Sequence, residues 1–348
     1  MKFKNDKRFK SFIVTLIVAI LLVTVIPIPY YVEKPGTSEN LRDYVSVDGK
    51  RDKFDGSFML TTVAVQQATI ASLISGHLNH TNDVISKKEM MGTNSGKEYE
   101  EMQHYHMETS QNIATKLALD LAKKPYKVDY KGIYVMSIDE HSNFENKLRV
   151  GDTIVKVDNQ KIERTEDLTK YIKTKKVDDS VKITYEQDGK TKETKGDLIK
   201  LPETKKAGIG ITLVDHTEID TKEEINFSTE SIGGPSAGLM FTLELYSLIT
   251  GKDLRNGQDI AGTGTIDSEG VVGRIGGIDK KVIAADHEGA DIFFAPNDEI
   301  DPEIKKKNPD VKTNYEEAVE SAKKNHLEVK IVPVKTVKDA IKYLEKGK

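Results

Sequence analysis

The sequence predicts a multidomain α+β protein with an N-terminal transmembrane helix, a small β-rich domain and a C-terminal α/β domain. An uncharged apolar run near the N-terminus is long enough, at about twenty residues, to cross a bilayer as a helix. Apolar residues in the middle of the chain alternate as they do in strands, and the last third alternates strand and helix patterns. The length of 348 residues is sufficient for two or three domains.

Composition excludes several classes of protein. The net charge of −4 gives no basic field for a nucleic acid, so no nucleic-acid partner is predicted. The absence of cysteine excludes disulfides, thiol catalysis and cysteine-ligated zinc. The stretch 91–101, MGTNSGKEYEE, has too few residues between its glycines to be a phosphate-binding loop. The two histidines within 104–106 lack a third ligand nearby, and the sequence therefore predicts neither a metal nor a cofactor.

The N-terminal segment has the pattern of a signal anchor. Residues 1–10 carry five basic side chains against one acidic one, and residues 11–32 carry no charge. Basic residues before an apolar run favour a cytoplasmic N-terminus. A cleaved signal peptide and a buried core helix are the alternatives, but no cleavage site of the A-x-A type follows. The sequence therefore predicts a single-pass protein of the cell membrane, with a basic stub, an anchor at 11–32 and an extracytoplasmic remainder.

Residues 33–125 do not predict a fold. The stretch 56–78 begins with β-branched alternation and then changes to a helical pattern. The stretch 111–124, QNIATKLALDLAKK, has apolar residues at helical spacing. These patterns predict elements but no architecture, and the region is left as an extracytoplasmic segment of uncertain fold.

Residues 126–200 form the predicted β-rich domain. A strand pattern at 131–138 is followed by KLRVGDTIVKVDNQKI at 147–162, in which a short turn precedes a strand. An amphipathic helix at 166–176 and a hairpin at 181–193, with its turn at Asp188 and Gly189, complete the unit.

This order of elements resembles a bacterial PDZ domain, with another small half-barrel as the alternative. PDZ domains bind extended peptides by adding a strand to the edge of a sheet. The resemblance implies that the peptide-binding edge lies beside the helix at 166–176. It is expected at Gly132, Ile133, Tyr134 and Val135.

Residues 205–348 alternate strand and helix patterns and form the predicted C-terminal α/β domain. The predicted strands lie at 208–215, 225–229, 260–267, 291–296 and 330–334. The predicted helices lie at 236–250, 279–287, 315–324 and 337–345.

Ser236 follows two glycines and a proline in GGPSAG and begins an apolar helix that stops before Gly251. Glycine lets a ligand approach the backbone closely, and proline suits the first turn of a helix. Free backbone N–H groups at such a helix end can hold a developing oxyanion, here those around Gly234, Pro235 and Ser236. A plain serine cap is the alternative.

A serine hydroxyl needs a base to become a good nucleophile. His216 and His287 are the nearby histidines, and neither lies in a recognisable triad pattern. Asp279 is predicted as a helix N-cap, which places Lys280 and Lys281 in the first turn. The helix dipole and burial both lower the pKa of a lysine there, so that the neutral amine can act as a base. Two surface lysines are the alternative.

The order GGPSAG, GTGTID and GVVGRIGGIDKKVIAA resembles the catalytic domain of the Lon proteases, which use a Ser–Lys dyad. The resemblance implies that Ser236 is the nucleophile, that Lys281 is the base and that the hydroxyl of Thr263 orients the lysine. Many Lon enzymes carry an acidic residue three positions before the serine, where this chain has Gly233. Typical Lon enzymes also carry an ATPase module, and this sequence has no phosphate-binding loop.

Taken together, the predicted anchor, the PDZ-like domain and the Lon-like domain resemble the membrane-anchored PDZ–Lon serine proteases of Gram-positive bacteria. The resemblance implies an ATP-independent serine endopeptidase that cleaves unstructured peptides or small exported or membrane proteins, with substrates selected by the PDZ domain. Lon-type domains often form rings, so the resemblance is compatible with a hexameric homo-oligomer. The alternatives are a PDZ-based peptide-binding scaffold with an inactive Lon-like domain, and an esterase or amidase that uses the same dyad.

Overall fold

The computed structural model describes residues 7–92, 94–202, 204–230 and 232–346. Its helices are α1 (Lys7–Val25), α2 (Ile70–Leu78), α3 (Lys87–Met91), α4 (Gly96–Ala122), α5 (Thr165–Ile172), α6 (Gly238–Thr250), α7 (Ile278–His287), α8 (Pro302–Lys307), α9 (Asn314–Asn325) and α10 (Val337–Lys346). Its strands are β1 (Pro27–Asn40), β2 (Val45–Val47), β3 (Ser57–Thr69), β4 (Asp83–Ser86), β5 (Tyr126–Ile138), β6 (Thr153–Val157), β7 (Gln160–Lys161), β8 (Ser180–Gln187), β9 (Lys190–Asp197), β10 (Ile199–Lys200), β11 (Ala207–Gly208), β12 (Ile211–Thr221), β13 (Ile225–Phe227), β14 (Asp259–Gly262), β15 (Thr265–Ile266), β16 (Val272–Gly273), β17 (Ile292–Pro296) and β18 (Lys330–Val334).

The larger sheet is mixed and has the strand order β18–β17–β14–β3–β1–β4. Strands β18, β17, β14 and β3 are parallel to one another, and β1 and β4 are added antiparallel. The central pairing joins distant parts of the chain, since Ile260 of β14 lies opposite Phe58 of β3. Residues 33–125, for which the sequence predicts no fold, therefore contribute strands to the same sheet as the C-terminal part.

Helices cover both faces of this sheet because neighbouring strand residues point to opposite sides. Phe58 and Leu60 face α4, α6 and α10 in one buried apolar cluster. Met59 lies between them in the sequence and faces α7 and α9 in a second cluster. The result is a three-layer α/β/α arrangement.

The smaller sheet is antiparallel, with the order β12–β5–β6–β8–β9, and has its own apolar core. Its hairpin turns at Asp188 and Gly189, whose φ angles of 52° and 69° are typical of a type I′ turn and match the predicted turn. One strand was assigned differently by the sequence. The sequence predicts the strand at 208–215 as part of the C-terminal domain, but β12 pairs along its length with β5. Alternation of apolar and polar residues predicts that a segment is a strand, but it does not identify the strand with which that segment pairs.

Helix α4 contacts both the core of the larger sheet and the strands of the smaller sheet. One of its faces contributes Ala114 and Leu117 to the cluster around α6. On another face, the ring of Tyr105 stacks on Tyr134 of β5 with 3.9 Å between ring centroids. The Tyr105 hydroxyl also donates a hydrogen bond of 2.8 Å to the backbone carbonyl of Asp215 in β12. The helix therefore fixes how the two sheets lie relative to each other.

The predicted transmembrane anchor at 11–32 is wrong. Helix α1 ends at Val25, and the remaining residues of the predicted span enter β1, where Tyr31 and Val32 pair with both β3 and β4. The uncharged part of α1 has about 15 residues, or roughly 22 Å of helix against a bilayer core of about 30 Å. In the described part of the chain no helix combines the length and the apolar character needed to cross a membrane. This finding also contradicts the predicted single-pass location.

A buried ion cluster ties the N-terminal segment to α6. The Arg255 side chain is 0% exposed and forms ion pairs with Glu244 of α6 and with Asp52, the latter at 3.0 Å. The guanidinium also lies over the ring of Phe58, 4.1 Å from its centroid. Since α6 begins two residues after Ser236, this cluster helps to hold the serine loop in place.

Replacing Arg255 by methionine should destabilise the protein by about 3–5 kcal/mol, because two buried carboxylates lose their shared partner. Denaturant unfolding of the full chain would measure the change. Arg51→Met is the matched control, since the Arg51–Asp43 pair is exposed and such pairs contribute about 0–1 kcal/mol. Equal losses in the two variants would contradict the role assigned to the buried cluster.

Candidate active site

The structure brings together three residues that the sequence singled out. Thr263 directly follows β14, at the carboxyl end of a parallel strand. Ser236 lies in the turn before α6, on one face of the sheet, and Lys281 lies in the first turn of α7, on the other face. The carboxyl ends of parallel strands are the usual place for a ligand site in α/β folds.

The three side chains form a hydrogen-bonded chain. The Nζ atom of Lys281 lies 2.6 Å from the Oγ atom of Ser236 and 3.2 Å from the Oγ1 atom of Thr263. The Thr263 hydroxyl donates to the backbone carbonyl of Ser236 at 3.1 Å, so its lone pair is free to accept from the lysine. The same carbonyl accepts the Gly264 N–H at 2.8 Å. Thr263 is thus placed to set the direction of the Lys281 amine.

Two adjacent lysines of α7 have opposite pKa shifts. Burial lowers the pKa of Lys281 from 10.5 to about 7, and its partners among the described residues are both hydroxyls. Burial also acts to lower the pKa of Lys280, but hydrogen bonds and charge from Asp83 and Asp279 outweigh it and raise that pKa. At pH 7 an amine with a pKa near 7 is about half neutral, whereas an ordinary lysine is almost wholly protonated.

The helix ends differ in detail from the predicted ones. Helix α6 begins at Gly238 with Ala237 as its N-cap, so Ser236 does not cap it. Its end before Gly251, in the left-handed conformation, agrees with the sequence. Helix α7 begins at Ile278, and the N-cap is Gly277 at φ 67° rather than Asp279. A side chain at position 277 would be strained at this angle, which explains the glycine.

Gly233 lies where helix α4 approaches the serine loop. A Cβ atom added at Gly233 would lie 2.9 Å from the Cβ atom of Gln103, so α4 leaves no room for a side chain. No carboxylate in the described residues replaces the missing acidic group at Lys281, whose pKa is shifted by burial alone. Sequence analysis did not identify Gln103, because the helical pattern was detectable only from residue 111 and gave no signal for a contact across the fold.

Gln103 also changes the predicted set of oxyanion donors. Its backbone carbonyl accepts the Gly234 N–H at 2.9 Å. Pro235 has no N–H. Of the three predicted donors, Gly234, Pro235 and Ser236, only the Ser236 N–H therefore remains available.

A cleft of about 940 Å³ opens beside the pair. Ser236 and Lys281 lie in its wall, together with residues of β1, β3, α4 and the loop before α7. Ser236 is partly exposed in the cleft wall, while Lys281 is only 5% exposed. The arrangement provides an accessible hydroxyl beside a desolvated amine.

The two histidines are not part of this site. His216 lies between the small sheet and α4, with hydrogen bonds to Thr153 at 2.9 Å and to Glu108 at 3.4 Å. His287 is the last residue of α7, whose first turn carries Lys281.

The predicted peptide-binding edge at Gly132, Ile133, Tyr134 and Val135 is wrong, because β5 is an internal strand. It pairs with β12 on one side and with β6 on the other, so no further strand can be added there. The edge strands of this sheet are β12 and β9, and β12 is the one that lies beside α5. A groove of about 790 Å³ lies between β12 and α5.

Two parts of the chain match known protein families. Residues 105–198 match the PDZ domain, and residues 228–342 match the Lon protease (S16) C-terminal proteolytic domain. The chain therefore contains one region similar to the PDZ domain and one similar to the Lon-type proteolytic domain.

The relatives are Lon proteases. That of Desulforamulus reducens is 36% identical over 95 residues, which are 27% of this chain and 11% of the relative. The mitochondrial Lon protease homolog of Drosophila melanogaster is 46% identical over 65 residues, 19% of this chain and 6% of the relative. This chain thus spans only a small part of the relatives it matches. Among solved structures, the PDZ domain of the SdrC-like protein from Listeria monocytogenes is 36% identical and covers 25% of this chain and 93% of its own, with a TM-score of 0.24.

Replacing Gly233 by alanine should displace the serine loop, because the new Cβ atom meets α4. Displacement by about 1 Å can reduce the rate at a catalytic group about 100-fold, and we expect labelling of Ser236 by a fluorophosphonate to slow at least about 10-fold. Gly276→Ala is the matched control, since a Cβ atom there has no neighbour within 4 Å. Unchanged labelling in Gly233→Ala would contradict the close fit of α4.

Replacing Lys281 by methionine should stabilise the protein. The folded state disfavours the Lys281 cation, so wild type carries a penalty that is full below pH 7 and disappears as pH rises towards 10.5. The variant should therefore gain about 2–4 kcal/mol at pH 6–7 and little at pH 10. Lys280→Met is the control with the opposite sign, because that lysine loses two carboxylate partners. Denaturant unfolding across this pH range measures both, and a gain independent of pH would contradict the assignment.

Proposed function

We propose that the protein is an ATP-independent serine endopeptidase in which Ser236 is the nucleophile and Lys281 is the general base. The observation that carries the proposal is the contact of 2.6 Å between the Ser236 hydroxyl and a buried amine whose pKa is about 7. A neutral amine at this distance can accept the serine proton at physiological pH. The Lon-type match over residues 228–342 supports the same chemistry.

In the first half-reaction the lone pair of the Lys281 amine takes the proton of Ser236 as the Oγ atom bonds to the scissile carbonyl carbon. The carbonyl oxygen becomes an oxyanion, to which the Ser236 N–H donates a hydrogen bond. The intermediate collapses as the C–N bond breaks, and the Lys281 ammonium returns the proton to the leaving amine. Water then repeats the sequence on the acyl-enzyme and releases the acid.

Thr263 acts on the base in this scheme. Because the Thr263 hydroxyl hydrogen is directed to the Ser236 carbonyl, its oxygen accepts one N–H of Lys281. The single lone pair of the neutral amine is then directed towards the Ser236 hydroxyl, from which it accepts a hydrogen bond. Thr263 is thus a positioning residue.

Substrates in this proposal are unstructured peptides or exposed segments. The sequence contains no phosphate-binding loop that could serve an unfolding motor, and the Ser236 side chain opens onto a cleft of about 940 Å³. The PDZ domain binds a second segment of the substrate by strand addition to β12, the edge strand of its sheet that lies beside α5.

Cleavage of casein by the full chain without ATP tests the proposal. Ser236→Ala should abolish cleavage, and Lys281→Arg should do the same because arginine cannot act as a base. Lys280→Arg, next to the proposed base, is the matched control and should retain cleavage. Mass spectrometry identifies the products. Activity in Ser236→Ala would disprove the assignment of the nucleophile.

The rate of acylation should depend on pH through the proposed base. Neutral Lys281 is required, so the rate should rise as pH increases through about 7 and become constant above about pH 8. Single-turnover acylation by an ester substrate from pH 5 to 10 measures this dependence. A rise centred near pH 10 would mean that the lysine is not desolvated as proposed.

A further inference from the structure

The groove between α5 and β12 has the form of an extended-peptide site. β12 is one of the two outer strands of its sheet, and α5 lies alongside it. The N-terminus of α5 is fixed to the strand, since the Thr165 N–H and hydroxyl both donate to the Asp215 carboxylate, at 2.7 and 2.8 Å. The groove therefore has one rigid wall and one free strand edge.

The floor of the groove is apolar. Leu168 and Ile172 of α5 lie opposite Ile209, Ile211 and Leu213. Helix α5 has 8 residues. At about 1.5 Å per residue it matches roughly four residues of an extended strand at about 3.3 Å each. A short segment with alternating apolar side chains would fill the groove.

The rim of the groove is positively charged. Lys173, Lys176 and Lys206 are exposed and line it, and within the described residues none of them lies in an ion pair. A fourth lysine, Lys175, is paired with Asp158 at 3.1 Å. No aspartate or glutamate is among the described residues that line the groove. This contrasts with the chain as a whole, which has a net charge of −4.

We propose that this groove selects an extended peptide segment that carries acidic side chains beside apolar ones. The apolar residues bind the floor, and the carboxylates lie against the three unpaired lysines of the rim. The inference rests on the proposed peptide-binding function of the groove and adds the chemical class of its ligand. A substrate would then be recognised by an acidic segment separate from the bond that is cut.

Peptide binding to the full chain with Ser236→Ala, which cannot cleave its ligand, tests the inference. Three fluorescent peptides share one apolar pattern and differ only in the residue placed between the apolar ones, which is glutamate, glutamine or lysine. Each peptide is made in two forms, with a free and with an amidated C-terminus. By fluorescence anisotropy the glutamate peptide should bind at least about 10-fold more tightly than the glutamine peptide, with a smaller advantage at high salt. Amidation should leave this advantage in place.

Variants locate the effect. The triple substitution Lys173→Gln, Lys176→Gln and Lys206→Gln should remove the advantage of glutamate over glutamine and leave binding of the glutamine peptide nearly unchanged. A control triple to glutamine makes the same change of net charge on the exposed lysines of β9, Lys190, Lys192 and Lys195. The control should retain the advantage.

Each other outcome has a distinct meaning. Equal binding of the glutamate and glutamine peptides would overturn the inference and leave the groove as a peptide site without charge selection. An advantage that amidation abolishes would assign the lysines to a chain-terminal carboxylate and overturn it as well. Equal loss in the control triple would show a general charge effect rather than a groove. If no peptide binds, the proposed function of the groove itself fails, and the inference fails with it.

Discussion

The site depends on one electrostatic constraint, the burial of the Lys281 amine without a carboxylate partner. A carboxylate next to Lys281 would hold its proton, as Asp83 and Asp279 do for the neighbouring Lys280. Within the residues that the structure describes, the partners of the amine are two hydroxyls, which can bond to it in either protonation state. Gly233 and the close approach of α4 are consistent with this requirement, since they exclude an acidic side chain three residues before Ser236.

The buried amine opposes folding, and other contacts must compensate. The sheet contributes by packing apolar residues on both faces, and the Arg255 cluster fixes α6 against the N-terminal segment. Stabilising interactions are thus distributed over the whole sheet, whereas the destabilising burial of the Lys281 amine is confined to the proposed active site. Such a division between a stable scaffold and a strained site is common in enzymes.

Sequence reasoning succeeded where the signal was local. Residues only a few positions apart specify the turn before Ser236, the first helical turn that contains Lys281 and the hairpin at Asp188. The structure brings the serine and the lysine together. Reasoning failed where the signal was not local. The apolar run at 11–32 continues from a helix into a strand, and hydropathy does not mark the boundary. The pairing of β12 with β5 and the contact of Gln103 with Gly233 depend on neighbours in space, for which a single sequence has no pattern.

Helix α4 gives the two binding regions a common support. It holds β12 through Tyr105 and bonds to the serine loop through the Gln103 carbonyl, so the groove and the cleft are connected by one rigid element of 27 residues. A substrate bound in both places would be held at a fixed spacing, and its length between the two segments would matter as much as its sequence.

The pairing of β3 with β14 also affects the stage of synthesis at which the protein can fold. Ser57 and Asp259, which are hydrogen-bonded at the start of these strands, are 202 residues apart, and the small sheet lies between them in the chain. During synthesis β3 cannot pair with β14 until most of the protein has left the ribosome. Contacts between residues so far apart in the sequence also form slowly. Lys281 lies later still, on α7. A nascent chain therefore cannot bring Ser236 and Lys281 together until most of it has been synthesised, so any activity of the pair can arise only late in synthesis.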